Sequence, residues 1–162
     1  FAEKGFEITS MDLSSNALQK GISLFKSLSL NAKFTLGDLF HIPIRDEQFD
    51  LVFNQGVMEH FRLAKMDASL GVKEMMRVLK KNGTLVILVP AYFSPLFFIY
   101  SFFKLFKLVD RYWPYTDQDF LHKHELYEMM EKAGCKNIIV RRVWSSFFFS
   151  MIGYCKKIDE DE

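Results

Sequence analysis

The fold is decided by residues 67–90, which read DASLGVKEMMRVLKKNGTLVILVP. Residues 67–81 are predicted to form an amphipathic helix, because apolar side chains recur at i, i+3, i+4 and i+7 in Val72, Met75, Met76 and Leu79. Lysines in the last turn and a glycine just beyond it are typical of a helix C-terminus. Residues 84–89 are almost all aliphatic or β-branched and stop at Pro90, which predicts a buried strand. A helix followed directly by a buried strand is the repeating unit of an α/β fold.

The segments before this unit repeat the pattern. Residues 6–11 alternate apolar and polar side chains, and Ser14 or Ser15 can cap the helix that follows. A second short strand is predicted over residues 32–36, closed by Gly37 and Asp38. Residues 49–53 form an apolar run of the kind that is buried on both faces of a parallel sheet.

The segments after it complete one α/β domain. A helix is predicted from about Lys123 to Gly134, with its apolar face formed by Leu126, Met129, Met130 and Ala133. Strands over residues 137–143 and 147–154 follow, and this last pair is a candidate for antiparallel pairing. We therefore expect a single domain over residues 1–162, with a mainly parallel sheet and helices on both faces. Residues 159–162 are all acidic and are expected to fray in solvent.

Composition narrows the classes of function. The 162 residues carry a net charge of +1, which disfavours a partner such as nucleic acid that requires a strong basic excess. Cys135 and Cys155 have neither the number nor the spacing for a disulfide framework or a zinc site, so a reduced, cytoplasmic chain is expected. The uncharged residues 82–103 are interrupted by glycine and proline, so no transmembrane helix is predicted.

Three polar residues stand where predicted strands end: Asp12, Asp38 and Asn54. Ligands of open α/β sheets bind outside the carboxyl ends of the strands. A carboxylate there can accept both hydroxyls of a ribose, and a second one on the next strand can accept from an exocyclic amine such as adenine N6. The alternative is local, with Asp12 capping a helix and Asp38 shaping a turn with Gly37.

Four runs of sequence together resemble the class I S-adenosylmethionine-dependent methyltransferases, in particular those of methyltransferase domain type 11. These runs are residues 5–14, 37–52, 57–61 and 77–86, and they occur in the order and at the separations typical of the family. The resemblance covers residues 1–90 in register and extends more loosely to residues 120–134. The resemblance implies a Rossmann-like methyltransferase fold, S-adenosylmethionine as cofactor, and methyl transfer as the activity.

The resemblance also implies roles for individual residues, all of them cofactor contacts. Asp12, with Leu13 beside it, would hold the ribose hydroxyls. Asp38 and the backbone of Leu39 would contact the adenine. The methionine end of the cofactor would lie against Asn54 and Gln55.

One family feature is missing from the sequence. None of the eight glycines forms the G-x-G pattern of the loop that follows the family's first strand. Residues 1–5 instead resemble the end of the helix after that loop, so we expect the first strand and glycine-rich loop to be absent from this chain. A chain without them is expected to be unstable and inactive alone, although the full-length protein would be an enzyme.

Two histidine positions could carry chemistry. His60 follows the strand that corresponds to the fourth strand of the family, so it could face the reacting methyl group. A histidine at the start of a helix and beside a carboxylate is, however, more often structural. His122 and His124 have no third metal ligand nearby in sequence, so no metal is expected. The residue of any catalytic base is left open.

Two other functions compete with methyl transfer. A nucleotide-binding oxidoreductase would also place an acid at Asp12 but does not account for Asp38 or residues 57–61. The other is a non-enzymatic lipid- or protein-binding form of the same fold, which the missing loop and the aromatic residues 91–120 favour.

Residues 91–120 form an aromatic-rich insert where the family commonly places substrate-recognition elements. A helix over residues 95–109 would be about 22 Å long at 1.5 Å per residue, shorter than a bilayer core. Its rings could pack into the domain core, or it could form a lid for a small, apolar or lipid-like methyl acceptor. It could also lie on a membrane, with Lys104 and Lys107 near anionic headgroups.

Overall fold

The structure is a computed structural model that describes residues 1–112, 119–143, 145 and 149–158. The chain divides into two compact units, Phe1–Pro43 and Ile44–Glu162. The predicted strand start at Phe147 and the acidic residues 159–162 lie outside the described residues, as do residues 113–118 of the aromatic insert.

The first unit is a β-α-β unit, as predicted. It contains a short 3-10 helix, strand β1, helix α1 and strand β2, at Ala2–Lys4, Thr9–Asp12, Ser15–Ser27 and Lys33–Leu36. The two strands are parallel, with Thr9 opposite Lys33. Ser14 caps α1 by accepting a hydrogen bond from the backbone N–H of Ala17 (3.3 Å). Strand β1 starts later than predicted because Gly5 ends the 3-10 helix in the left-handed conformation and the Phe6 ring packs edge-on against Phe1, 5.9 Å between centroids.

The second unit is built on a four-stranded sheet. Its elements in chain order are β3 Phe49–Gln55, α2 Met58–Leu63, α3 Ala68–Val78, β4 Leu79–Pro90, α4 Pro95–Leu105, α5 Val109–Tyr112, α6 Lys123–Lys132, β5 Lys136–Arg142 and β6 Ser150–Lys156. The strand order is β3-β4-β6-β5, in which β3 and β4 are parallel and β6 is antiparallel to both of its neighbours. The predicted antiparallel pairing of the last two strands is therefore confirmed.

Helix α3 is shorter than the predicted helix over residues 67–81. Asp67 is its N-cap and accepts from the backbone N–H of Ser69 (3.2 Å), and the helix ends at Val78. Leu79 already has an extended backbone and pairs with Phe49 in β3. Pairing with the neighbouring strand thus draws the last turn of the predicted helix into β4.

Strand β3 is not buried on both faces, contrary to the sequence-based expectation. Burial alternates along it, with Val52 and Asn54 half-buried and Leu51 and Phe53 exposed by 40% and 45%. The second face of β3 is therefore left uncovered by the described part of its own unit.

The core of the second unit lies between the sheet and helices α3 and α6. The predicted apolar faces are buried there, including Val72 and Met75 of α3 and Met130 of α6. Gly153 of β6 lets α6 approach closely, because a Cβ at this position would lie 2.7 Å from Met130 Sδ. Leu121, two residues before α6, forms an isolated parallel bridge with Ala91, so the N-terminus of α6 lies beside the end of β4.

The aromatic helix is shorter and more exposed than predicted. Ser94 caps α4 by accepting from the backbone N–H of Phe97 (3.1 Å), and the helix ends at Leu105, about 16 Å from its start. None of its residues is buried, and Phe98 and Phe102 are exposed by 57% and 56%. The core-packing alternative therefore fails for Phe98 and Phe102. It holds in part for the half-buried Phe97 and Tyr100, whose rings each lie 5.5 Å from the buried Phe120 ring, measured between centroids. Among the described residues, no helix has the length and apolar character needed to cross a membrane.

Candidate functional site

Asp12 and Asp38 lie at the same edge of the two-stranded sheet. The parallel register places Asp12 opposite Leu36, and Asp38 follows Leu36 by two residues. The backbone N–H of Gly37 donates to the carbonyl oxygen of Asp12 (3.1 Å), which ties the two strand ends together. The predicted joint placement of these carboxylates, one strand apart, is confirmed.

Asp12 does not cap helix α1, since Ser14 does. Its Oδ1 atom accepts from the backbone N–H of Ser14 (2.8 Å), which holds the carboxylate in one orientation. The side chain is exposed, and Oδ2 has no hydrogen-bond partner among the described residues. Leu13 is also exposed, by 74%. One carboxylate oxygen of Asp12 is therefore oriented by the backbone and the other is available to a ligand.

Asp38 does shape a turn, as the local alternative expected. Its Oδ1 atom accepts from the backbone N–H of Phe40 (3.0 Å), and Oδ2 lies 4.0 Å from Nδ1 of the exposed His41. Gly37 is needed before it, because a Cβ there would lie 2.8 Å from Met11 Sδ and from Pro43 Cδ. The turn and a ligand contact are compatible, since the carboxylate is half exposed and only Oδ1 is bonded to the backbone.

The carboxyl end of β3 carries Asn54 and Gln55. Gln55 is exposed, while Oδ1 of the half-buried Asn54 is a buried acceptor without a hydrogen-bond partner among the described residues. Gly56 follows with a φ of 70° and donates its N–H to the carbonyl oxygen of Leu88 (3.1 Å). A buried amide oxygen without a donor is costly, so Asn54 is the residue at this edge that most needs a ligand.

Glu59 is a functional candidate that the sequence analysis did not single out. It stands in the first turn of α2, is only 2% exposed, and its Oε2 atom has no hydrogen-bond partner among the described residues. Burial raises the pKa of its carboxyl group, the nearby charge of Asp119 adds to this, and its own backbone and His60 act in the opposite direction. The signal in the sequence was an acid at the start of a helix with the apolar Val57, Met58 and Phe61 around it.

The structure describes the surroundings of His60, His122 and His124. His60 is exposed and donates its backbone N–H to the carbonyl oxygen of Val57 (3.1 Å). His122 and His124 stack on each other with centroids 5.4 Å apart, and the Tyr92 ring lies 4.0 Å from His122. No group of three potential metal ligands occurs within the part of the chain that the structure describes.

Cys135 and Cys155 are brought together by the fold, although they lie twenty residues apart. Both are free and buried. The Cys155 thiol raises the pKa of Cys135 through a hydrogen bond, and burial raises it further. Cys135 is therefore held as a neutral thiol, so its role here is packing.

Comparison with known proteins defines the class to which this fold and these strand ends belong. Residues 1–87 match the family model described as the methyltransferase domain, and the chain belongs to this family. The resemblance to class I S-adenosylmethionine-dependent methyltransferases and the expected Rossmann-like fold are confirmed.

One relative in sequence and two solved structures illustrate what this chain is similar to. The chain is 31% identical to the demethylmenaquinone methyltransferase of Staphylococcus aureus, over 93% of this chain and 66% of that protein, so it spans just under two thirds of its relative's length. A SAM-dependent methyltransferase from Methanosarcina mazei superposes with a TM-score of 0.72 and 19% identity, over 98% of this chain and 85% of that one. The cyclase SpnF superposes with a TM-score of 0.67 and 16% identity, over 94% of this chain and 66% of SpnF. These two likenesses concern the fold alone.

Proposed function

We propose that the full-length protein transfers a methyl group from S-adenosylmethionine to a small acceptor with an apolar body. The observation that carries this proposal is the parallel register of β1 and β2, which puts Asp12 and Asp38 at one edge of a sheet in a chain of the methyltransferase family. S-adenosylmethionine would supply a methyl group on a positively charged sulfur. The acceptor would form a bond to the methyl carbon while the carbon–sulfur bond breaks and the sulfur leaves as a neutral thioether, which needs little acid-base assistance when the acceptor is already nucleophilic.

The first unit would hold the nucleoside part of the cofactor. Asp12 presents an unpaired carboxylate oxygen to the ribose hydroxyls, and Leu13 contacts the same part of the ligand. Asp38 accepts from the adenine amine, while the backbone of Leu39 contacts the ring edge. Both carboxylates keep an oxygen bonded to the backbone, so their orientation is set before the ligand arrives.

The second unit would hold the methionine part. The free Oδ1 of Asn54 is suited to accept from the ammonium group of the methionine, which would satisfy the buried acceptor. Gln55, exposed at the end of the same strand, contacts the same end of the cofactor. Because the leaving sulfur is already activated, these residues contribute by positioning.

The apolar character of the acceptor is supported by the relative from Staphylococcus aureus, whose name describes it as acting on demethylmenaquinone. A cytoplasmic enzyme for such a compound would meet its acceptor at a membrane surface. Helix α4 is suited to that contact, because it exposes five large apolar side chains on or beside it: Phe98, Ile99, Phe102, Leu105 and Phe106.

Two lysines favour a membrane surface over a lid closed on the protein. Lys104 and Lys107 are exposed at the end of this helix, where they can approach anionic headgroups. We expect the double variant Phe98→Ser/Phe102→Ser to lose sedimentation with anionic liposomes and to keep its unfolding midpoint, since both rings are more than half exposed. The control Ile139→Ser removes an exposed apolar side chain of β5 and should bind liposomes normally. Unchanged sedimentation of the double variant would refute membrane contact through α4.

The function itself is tested by cofactor choice. Calorimetric titration of the full-length protein with S-adenosylmethionine should give saturable binding, and titration with NAD should give none. Transfer of isotope-labelled methyl groups to a quinone-type acceptor should then be detected by mass spectrometry. NAD binding instead would favour the oxidoreductase alternative, and binding of neither cofactor would favour a non-enzymatic lipid- or protein-binding role.

A further inference from the structure

Two buried side-chain oxygens near the carboxyl end of β3 have no hydrogen-bond partner among the described residues. They are Oδ1 of Asn54 and Oε2 of Glu59. Asn54 belongs to the strand and Glu59 to the first turn of α2, so the two residues stand on either side of the bend at Gly56. Because a buried acceptor without a donor is costly, two such atoms after the same strand indicate a ligand that donates hydrogen bonds.

The carboxyl group of Glu59 borders a space beside Gly56. If Gly56 carried a Cβ, the only heavy atom within 4 Å of it, outside the adjoining residues and in the described part of the chain, would be Oε1 of Glu59 at 3.8 Å. The backbone here is held by the hydrogen bond from the Gly56 N–H to the carbonyl oxygen of Leu88 (3.1 Å) and by the fully buried Met58. A group the size of a methyl or an ammonium therefore fits beside Gly56, in contact with the carboxyl group.

The charges around Glu59 favour a cation at this place. No lysine or arginine is paired with its carboxyl group among the described residues, and the charges that act on it are those of His60 and of a second acid, Asp119. Burial is the largest effect and raises the pKa of Glu59, because a carboxylate without a cation is unstable away from water. A positively charged ligand group would offset this cost and favour the ionised carboxylate.

The cofactor of the proposed reaction carries two positively charged groups, the ammonium of its methionine part and the sulfonium that holds the methyl group. An ammonium has three N–H donors, so it can bond to Asn54 and Glu59 at the same time. The sulfonium has no N–H and cannot supply a hydrogen bond of this kind to either oxygen. The ammonium is therefore the group that matches both the missing donors and the missing charge.

We infer that the carboxylate of Glu59 binds the ammonium group of S-adenosylmethionine, together with Oδ1 of Asn54. The inference rests on the proposed function, because it concerns the cofactor of that reaction. When the ammonium binds, a protonated Glu59 gives up its proton to the solvent and the resulting carboxylate forms an ion pair, with no change in any covalent bond of the cofactor. Glu59 thus selects ligands that carry the amino acid part of the cofactor.

The test compares three ligands by isothermal calorimetry on the full-length protein. S-adenosylmethionine has both charged groups, S-adenosylhomocysteine has the ammonium but a neutral sulfur, and 5′-methylthioadenosine has neither. Titrations at mildly acidic pH, in buffers of different ionisation enthalpy, measure the protons released on binding. We expect release with the first two ligands and none with the third. Glu59→Gln should abolish the release and weaken binding of the first two ligands by about tenfold or more, while 5′-methylthioadenosine binds as before.

The matched control is Glu128→Gln, the same change at an exposed acid of α6, which should bind and release protons like the unmodified protein. Cofactor binding without proton release, or with equal affinity in Glu59→Gln, would overturn the inference and leave the proposed function intact. Weaker binding of S-adenosylmethionine alone would assign the carboxylate to the sulfonium, and equal loss of all three ligands would indicate a purely structural role; either result overturns the inference. An unmodified protein that binds neither S-adenosylmethionine nor S-adenosylhomocysteine would refute the proposed function itself.

Discussion

The substitution Asp12→Asn tests the cofactor site at its most exposed residue. In the structure one carboxylate oxygen of Asp12 accepts from the backbone N–H of Ser14 (2.8 Å), and the other has no hydrogen-bond partner among the described residues. An asparagine keeps the first interaction, because its carbonyl oxygen can accept the same N–H. It replaces the free, negatively charged oxygen with an NH₂ group, which donates hydrogen bonds instead of accepting them.

The expected loss of cofactor affinity comes from removing that one charged oxygen as a hydrogen-bond acceptor. A hydrogen bond to a charged acceptor contributes about 1.5–3 kcal/mol, so losing the ribose contact should weaken S-adenosylmethionine binding by about 10- to 150-fold. The dissociation constant is measured by isothermal calorimetry on the full-length protein, together with the midpoint of thermal unfolding. The midpoint should change little, since the side chain is exposed and its contact with Ser14 is retained.

The matched control is Ser14→Ala. This variant removes the side-chain cap of α1, which costs about 0.5–2 kcal/mol of stability, but leaves Asp12 and the Ser14 backbone N–H in place. It should lower the unfolding midpoint and keep the cofactor affinity. If Asp12→Asn binds S-adenosylmethionine as tightly as the unmodified protein, the assignment of Asp12 to the ribose is refuted.

Three further predictions concern the second unit. Because burial raises the pKa of Glu59 above 4.5, its contribution to the free energy of unfolding is fully present below that pH and is lost as the pH rises through the folded-state pKa. Urea denaturation of Glu59→Gln should therefore show a flatter pH dependence, and an unaltered slope would contradict the burial of this carboxyl. Gly153→Ala should destabilise the protein by about 1–3 kcal/mol, because the added Cβ would lie 2.7 Å from Met130 Sδ, and an unchanged urea midpoint would argue against this packing. Bonding to Lys132 and Ser69 lowers the pKa of Asp67 from 3.8 to about 2, so its contribution is lost as the pH falls through that range. In an acid titration followed by circular dichroism, Asp67→Asn should lack the loss of stability that protonation of Asp67 causes. An acid transition identical to that of the unmodified protein would show that the Asp67–Lys132 contact does not affect stability.

The features that depend on neighbours in sequence were predicted correctly. The apolar spacing of α3 and α6, the capping serine of α1 and the positions of Asp12 and Asp38 at strand ends all follow from repeats of two or 3.6 residues and from local hydrogen bonds. The parallel register then brings the two carboxylates together without further assumptions, because adjacent parallel strands end at the same edge.

Where elements end was decided by tertiary pairing. The helix predicted to reach residue 81 stops at Val78, because Leu79 pairs with Phe49 and Lys80 forms an ion pair with Asp50 (2.9 Å). Helix propensity differs by less than about 1 kcal/mol among such residues, so contacts with a strand thirty residues away outweigh it.

Which side chains are buried and which are exposed could not be predicted from the sequence. The sequence shows an acid within residues 57–61 and many aromatic side chains within residues 95–105, but not that Glu59 is buried while Phe98 and Phe102 are exposed. Only the folded sheet brings the buried Cys135 and Cys155 together, although 20 residues separate them. The burial of a side chain and the charges around it depend on which surfaces contact each other in the folded protein. A sequence pattern predicts such contacts only between residues of the same helix or strand, because only there does the spacing along the chain fix the distance in space.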